Sequence, residues 1–344
     1  MTAGSVAVIG SGGFLGSHLV RSLRAARIRV SAFTRHRPLP HALRATTVFF
    51  VAGSVTPATA ESRPGLVAAD RALLDRVLAA VGRATEPTML VLASSGGTVY
   101  APDAQPPYTE RTPVGPDTAY GEMKLAMEGA VLGCPWVRPV VLRFANVYGP
   151  GERATKGQGV IAHWMAALAA GRPLTVYGDP ATSRDYVYID DAVSAMMLAH
   201  RSPEVPPPVM NIGSGEATSL HHLVSLVTSA VGGRQVSVGR LPARRVDRAY
   251  VSLDVELAAS ALGWRPVVSL PVGLRRTWRH VSIHQPGPPP EFQGSGWLGG
   301  LPGALAGHRE LRGPDGVEDA VGGALSVQRA RAGHPDAPPM RPDS

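Results

Sequence analysis

The amino-acid sequence predicts an α/β fold, a doubly wound parallel sheet with a smaller lobe toward the C-terminus. Three observations carry that prediction. Short apolar runs rich in β-branched residues alternate with stretches whose apolar residues recur every three to four positions, and strands separated by helices form parallel sheets covered on both faces. The first run ends in a cluster of glycines where the first helical pattern begins, which is the strand–turn–helix unit of such sheets. With 344 residues, 44% of them hydrophobic and 17% charged, the chain can bury a substantial core.

Taken in order, residues 5–9, 29–33, 48–51, 88–93, 137–143 and 174–177 read as strands. Residues 15–24, 66–81, 119–132 and 160–170 read as helices, with apolar positions three to four apart. Only 13 residues separate Thr34 from Val48, and Pro38 and Pro40 are among them. A crossover takes roughly 10–12 residues, so this stretch lacks room for a further helix and strand. The chain is expected to pass from the second strand directly to the fourth of the order 3-2-1-4-5-6, and the lost third strand is an edge.

Composition excludes several classes. The net charge is +8 and the pI about 10.1, yet the arginines are scattered and no basic run carries interleaved aromatics. Nucleic acid is therefore not an expected partner. A single cysteine, Cys134, rules out an internal disulfide framework and a multi-cysteine zinc site, and no metal is expected. No basic leader precedes the first strand and no apolar run reaches the roughly 18 residues of a membrane span, so a soluble cytoplasmic protein is expected, with no membrane partner. Lysine is almost absent: of 34 Lys and Arg, only Lys124 and Lys156 are lysine.

The glycine cluster reads Gly10, Ser11, Gly12, Gly13, Phe14, Leu15, Gly16, a GxxGxxG spacing. Glycine lets the turn adopt positive φ and lets the backbone approach a pyrophosphate, whose charge the helix N-terminus stabilises. Gly10, Gly13, Phe14, Leu15 and Gly16 are thus candidate dinucleotide-binding residues in a Rossmann-type sheet. At the end of the second strand the chain offers Thr34, Arg35, His36 and Arg37, with no carboxylate for a ribose 2′-hydroxyl. Thr34 and Arg35 suit a 2′-phosphate, which favours NADP(H) over NAD within an NAD(P) assignment.

The fourth of these strands runs into Ser94, Ser95, Gly96, Gly97, Thr98, Val99 and Tyr100. Twenty residues after Tyr100 comes Tyr120, then Lys124. Residues four apart share a helix face, so Lys124 can sit beneath the Tyr120 phenol. A phenol titrates near pH ~10, and a nearby cation makes it usable as an acid or base at neutral pH.

With the glycine turn, the hydroxyl-rich strand end and YxxxK in that order, the chain resembles the extended short-chain dehydrogenase/reductases of the nucleotide-sugar epimerase/dehydratase family, similar to UDP-glucose 4-epimerases. Further segments match. Residues 142–150, LRFANVYGP, resemble the segment that places an asparagine, here Asn146, on the substrate diphosphate. Residues 184–191, RDYVYIDD, resemble a segment whose arginine, here Arg184, binds the same group. Residues 242–247, PARRVD, resemble one that implies Arg244 on phosphate and Asp247 on the nucleotide ribose, and Tyr177 falls where the family lines the base pocket. The resemblance implies Tyr120 as the acid/base and Lys124 as the cation that lowers its pKa and holds the nicotinamide ribose. It also implies a nucleotide-diphosphate sugar as substrate and a homodimer built through residues 66–81 and 119–132.

The chain departs from the family at one catalytic position. Gly96 stands where the epimerases have a serine, so Ser95 or Thr98 must supply the hydroxyl, with Thr98 favoured. Gly96 and Gly97 also supply no acid pair, which argues against a 4,6-dehydratase. Residues 1–148 are expected to form mainly the NAD(P)-binding domain. Residues 149–281 are expected to form mainly the sugar-nucleotide lobe, with segments returning to the first domain. Residues 285–344 hold 10 Pro and 12 Gly and are expected to be a disordered tail. The leading expectation is an NAD(P)-dependent nucleotide-sugar 4-epimerase. The alternatives are an NADPH-dependent nucleotide-4-keto-sugar reductase and a non-catalytic nucleotide-binding relative.

Overall fold

Strand β1 (Val6–Ile9) is buried at all four positions, because alternate side chains enter opposite faces of a sheet that helices cover on both sides. The computed structural model describes residues 5–84, 87–154, 159–233, 236–242 and 248–284. These all fall within one compact unit, Met1–Pro290. Lys156, Arg244, Asp247 and the Pro/Gly-rich tail lie outside the described residues.

After β1 come α1 (Phe14–Ala25), β2 (Val30–Phe33), β3 (Thr47–Phe50), α2 (Pro64–Val81), β4 (Thr88–Ser95), α3 (Ala119–Leu132) and β5 (Val137–Phe144). The remaining elements are β6 (Asn146–Tyr148), α4 (Val160–Ala169), β7 (Leu174–Tyr177), β8 (Ser183–Tyr188), α5 (Ile189–Arg201), β9 (Val209–Ile212), β10 (Ala217–Ser219), α6 (Leu220–Ala230), β11 (Val238–Leu241), α7 (Glu256–Leu262) and α8 (Leu270–His284).

Six parallel strands form the main sheet in the order β2-β1-β3-β4-β5-β9. Among the described residues no strand lies beyond β2, and β3 pairs with the other side of β1, Val6 opposite Thr47. The short Thr34-to-Thr47 connection has therefore crossed β1 without building a third strand, as its length predicts. One core layer joins Val6, Val8, Met89, Val91, Val140 and Leu142 to α1 and α5, and the other joins Ala7, Ile9, Leu90, Leu92 and Val141 to α2 and α3. Each fully buried Val, Leu, Ile or Met among them contributes about 1.5–3 kcal/mol of burial free energy.

Two smaller sheets accompany the main one. Strand β8 lies between β6, to which it is parallel, and β10, to which it is antiparallel, while β7 and β11 form a parallel pair. A separate apolar cluster of Val99, Tyr100, Tyr108, Val251 and Leu253 lays the segment before α7 across the stretch that follows β4. No described helix is long and apolar enough to cross a membrane.

Candidate active site

The C-terminal ends of parallel strands are where doubly wound sheets bind ligands, and Gly10, Thr34 and Ser95 stand at the ends of β1, β2 and β4. At the end of β1, Gly10 has φ +92° and a Cβ would stand 2.6 Å from the Ala52 backbone nitrogen, so only glycine fits. A Cβ on Gly16 would overlap the Gly10 carbonyl, so its absence lets α1 pack onto the turn. No side chain caps α1, which begins at Phe14 behind Gly13. A cradle without Cβ atoms and a helix N-terminus open to an anion fit a dinucleotide pyrophosphate. Thr34 lies beside the turn, its Cγ2 3.4 Å from where a Gly12 Cβ would be. Arg37 folds back, Nη1 donating to the Ala32 carbonyl at 3.0 Å with the guanidinium 4.9 Å from the Phe33 ring centroid. Arg35 is exposed.

Helix α3 begins where Thr118 Oγ1 accepts the Gly121 N–H at 3.2 Å and Glu61 Oε1 accepts the Ala119 N–H at 2.9 Å. Tyr120 and Lys124 follow on one face. The Lys124 ammonium is buried, donates to the Ala93 carbonyl at 3.0 Å and stands 5.7 Å from the Tyr120 ring centroid. A Cβ on Gly121 would overlap the Thr98 carbonyl, so this glycine brings the first turn of α3 against the strand end. Ser95 closes β4, and its carbonyl accepts the Thr98 and Val99 N–H groups at 3.4 and 3.3 Å. The Thr98 hydroxyl oxygen is buried without a partner among the described residues. At Gly96 a Cβ would stand 2.6 Å from Leu253 Cδ1, so leucine methyls occupy the space beside this position.

Beneath the pair lies a polar layer that the sequence pattern does not reveal. Ser94 and Arg143 are register partners on β4 and β5. The Ser94 hydroxyl and the Arg143 guanidinium both donate to Glu128 on α3, the latter through Nε at 3.1 and 3.2 Å and Nη2 at 2.6 Å. Arg143 also lies 4.9 Å over the Tyr100 ring, whose hydroxyl donates to Asn211 Oδ1 at 2.6 Å. Glu128 keeps Arg143 protonated against the cost of burial. The sequence shows of this layer only two arginines in β5, Arg138 and Arg143, and a glutamate four residues after Lys124.

On the opposite side Asn146 is exposed, its Nδ2 donating to the Asp185 carbonyl at 3.0 Å. Arg184 Nη1 donates to the Ser183 and Arg248 carbonyls at 2.9 and 2.6 Å. Asn146 pairs in register with Tyr186, so Asn146 and Arg184 sit on adjacent strands, two residues apart in register. The Asp185 carboxylate, fully buried, accepts from the Ser214 N–H and hydroxyl at 2.7 Å and from the Gly215 and Leu253 N–H groups at 3.2 Å. Burial pushes that carboxyl up and these donors pull it down, with burial the larger effect. Tyr177 ends β7 exposed, opposite Leu241. Arg248, which no sequence motif marks, donates Nη2 to the Tyr100 carbonyl at 2.6 Å and lies 3.5 Å from Asp117. Burial raises the Glu152 carboxyl to about 8, and its Oε2 has no partner among the described residues.

Known proteins are similar to this chain in sequence and fold. The NAD dependent epimerase/dehydratase family matches residues 6–213. A UDP-glucose 4-epimerase of Mycolicibacterium smegmatis is 34% identical over 208 residues, 58% of this chain and 64% of that protein, so the chain spans less than two-thirds of this relative's length. A dTDP-6-deoxy-L-talose 4-dehydrogenase (NAD(P)(+)) of Kitasatospora kifunensis is 30% identical over 79% of this chain and 94% of its own length. Among solved structures, MoeE5 in complex with UDP-glucuronic acid and NAD superposes with a TM-score of 0.71 at 29% identity, covering 81% of this chain and 99% of that one. The family match spans residues 6–213, more than half of the chain, and this chain is a member of the NAD dependent epimerase/dehydratase family.

Proposed function

We propose that the protein interconverts a C4 hydroxyl and a C4 ketone on a nucleotide-diphosphate sugar, as an NAD(P)-dependent 4-epimerase. The observation that carries this reading is the Lys124 ammonium held 5.7 Å from the Tyr120 ring by the Ala93 carbonyl at the end of β4. The nicotinamide cofactor, when bound, supplies acceptance and return of hydride at the sugar carbon. Tyr120 takes the C4 hydroxyl proton and gives it back, Lys124 stabilises the phenolate, and Thr98, or else Ser95, completes the proton path. Gly10, Gly13, Phe14, Leu15 and Gly16 hold the pyrophosphate, and Thr34 and Arg35 face the adenosine ribose, with NADP(H) favoured. Asn146, Arg184 and Arg244 hold the substrate diphosphate, Asp247 its ribose and Tyr177 its base. Residues 1–148 serve mainly the cofactor and 149–281 mainly the sugar nucleotide, in a homodimer formed through α2 and α3.

A second reading, an NADPH-dependent 4-keto-sugar reductase, draws on two observations. Leu253 fills the space beside Gly96, where the epimerases keep a serine, and the relative matched over 94% of its length is named a 4-dehydrogenase. Purified protein incubated with NAD(P) and UDP- or dTDP-hexoses, then with their 4-keto derivatives, decides between them. An epimerase converts the sugar with no net change in NAD(P)H. Stoichiometric loss of NADPH with a keto sugar establishes the reductase, and failure to bind any nicotinamide cofactor sinks both.

A further inference from the structure

Lys124 and Glu128 are four residues apart on the buried face of α3, the spacing at which lysine and glutamate ordinarily pair. Among the described residues they form no ion pair. Lys124 instead donates to the Ala93 carbonyl and stands by the Tyr120 ring. Glu128 is 1% exposed, and both its oxygens are engaged: Oε1 accepts from the Ser94 hydroxyl and Arg143 Nε, and Oε2 from Arg143 Nε and Nη2. Ser94 is the chain neighbour of Ala93, so adjacent residues of β4 receive one partner each from α3.

From this geometry we infer that Arg143, which neutralises Glu128, and Ser94, which hydrogen-bonds it, are positioning residues that leave the Lys124 charge to act on Tyr120 unopposed. A buried carboxylate one helical turn from Lys124 would otherwise draw the ammonium toward itself and away from the phenol. Arg143 cancels it from the neighbouring strand, and the guanidinium fork does so bidentately. A buried ion pair is costly to desolvate, and a packed apolar pair would fill this layer without that cost. Holding the pair fits a requirement for a controlled field under the helix. The proposal rests on the reading of Tyr120 as the acid/base.

Removing either member of the pair moves the Tyr120 titration in opposite directions. Arg143→Met leaves the Glu128 carboxylate, about two turns along α3 from Tyr120, without its counter-charge and raises the midpoint of the phenol. Glu128→Gln leaves an unbalanced guanidinium and lowers it, each by about one pH unit. The double variant carries neither charge and returns toward the wild-type value. Other charged groups around this helix face, Glu61 and Asp117 at its N-terminus, exposed Glu122, Glu110 near Tyr100, and Arg248 beside Asp117, are common to all variants and cancel in the comparison.

The measurement is phenolate absorbance of the full-length protein against pH, each variant read as a difference from the same variant carrying Tyr120→Phe. Opposite shifts with recovery in the double variant are expected. A midpoint that stays in place or rises in Glu128→Gln overturns the proposal. If Arg143→Met alone does not fold, Glu128→Gln and the double variant still decide it. Failure of the catalytic reading is seen separately: turnover surviving Tyr120→Phe refutes that reading, whereas unmoved midpoints in an enzyme that Tyr120→Phe inactivates refute the Arg143 proposal alone.

Discussion

A Cβ placed on Gly96 would lie 2.6 and 2.8 Å from the two terminal methyls of Leu253, a residue supplied by the segment just before α7. Leu253 is fully buried with Val99, Tyr100, Tyr108 and Val251, and Asp185 accepts its N–H. A serine at this position therefore requires the Leu253 side chain to move. Gly96→Ser is expected to destabilise the protein by about 1–3 kcal/mol through overpacking, and Gly96→Ser with Leu253→Ala to lose less than the sum of the single changes. Urea unfolding midpoints of the four proteins check this.

Thr98 holds a buried hydroxyl with no partner among the described residues, which makes stability and turnover separable. Thr98→Val is expected to leave stability unchanged or raise it by up to about 1 kcal/mol, since an unsatisfied buried group is removed. Turnover is expected to fall by at least about tenfold if this hydroxyl carries the proton. Ser95→Ala measured alongside shows which of the two does. Equal turnover in both variants and wild type means that neither does.

Tyr120→Phe is expected to lower turnover by at least about 100-fold. Cofactor affinity should stay within a few-fold of wild type, because the glycine turn and the Lys124 contact to Ala93 do not involve the phenol oxygen. Steady-state rates and cofactor fluorescence titration give the two halves of this prediction.

Glu152 has a folded-state pKa of about 8 against 4.5 for the ordinary side chain, caused by burial. The folded state thus binds the proton more tightly than the unfolded one. Its contribution to stability is complete below pH ~4.5 and is lost as pH rises toward ~8, with a slope of up to about 1.4 kcal/mol per pH unit. Glu152→Gln should flatten that part of the curve. Denaturant midpoints of both proteins across this window test it, and parallel curves would show that the group is not buried in the folded protein.

Arg35 is exposed next to Thr34, whereas Arg37 is folded onto Phe33. Arg35→Asp is expected to shift the ratio of NAD to NADP affinity toward NAD by about tenfold or more, the worth of one charge-assisted hydrogen bond. Arg37→Ala should change it little. Titration of each cofactor into both variants distinguishes the two arginines.

The scarcity of lysine singles out Lys124 in the sequence, and its neighbours in the fold show why a lysine suits the position. A compact ammonium reaches the Ala93 carbonyl while remaining by the Tyr120 ring; the planar guanidinium fork is used one turn away, on Glu128. Helix α3 and strand β7 are legible to the residue, because a capping threonine or a short β-branched run marks each locally. Helix α5 is not among the helices read from the sequence, although eight of its thirteen residues are buried. Strand β11 escapes as well, being exposed at every position.

By itself the sequence determined the doubly wound fold, the missing edge strand, the glycine turn and the Tyr120–Lys124 pair, all of which follow from local spacing and connection length. Tertiary structure alone decided that Leu253 lies against Gly96 and that Arg143 and Ser94 both donate to Glu128. Those contacts join residues distant in the chain, and a one-dimensional pattern carries the turn and the period but not which distant side chain fills the space a missing Cβ leaves.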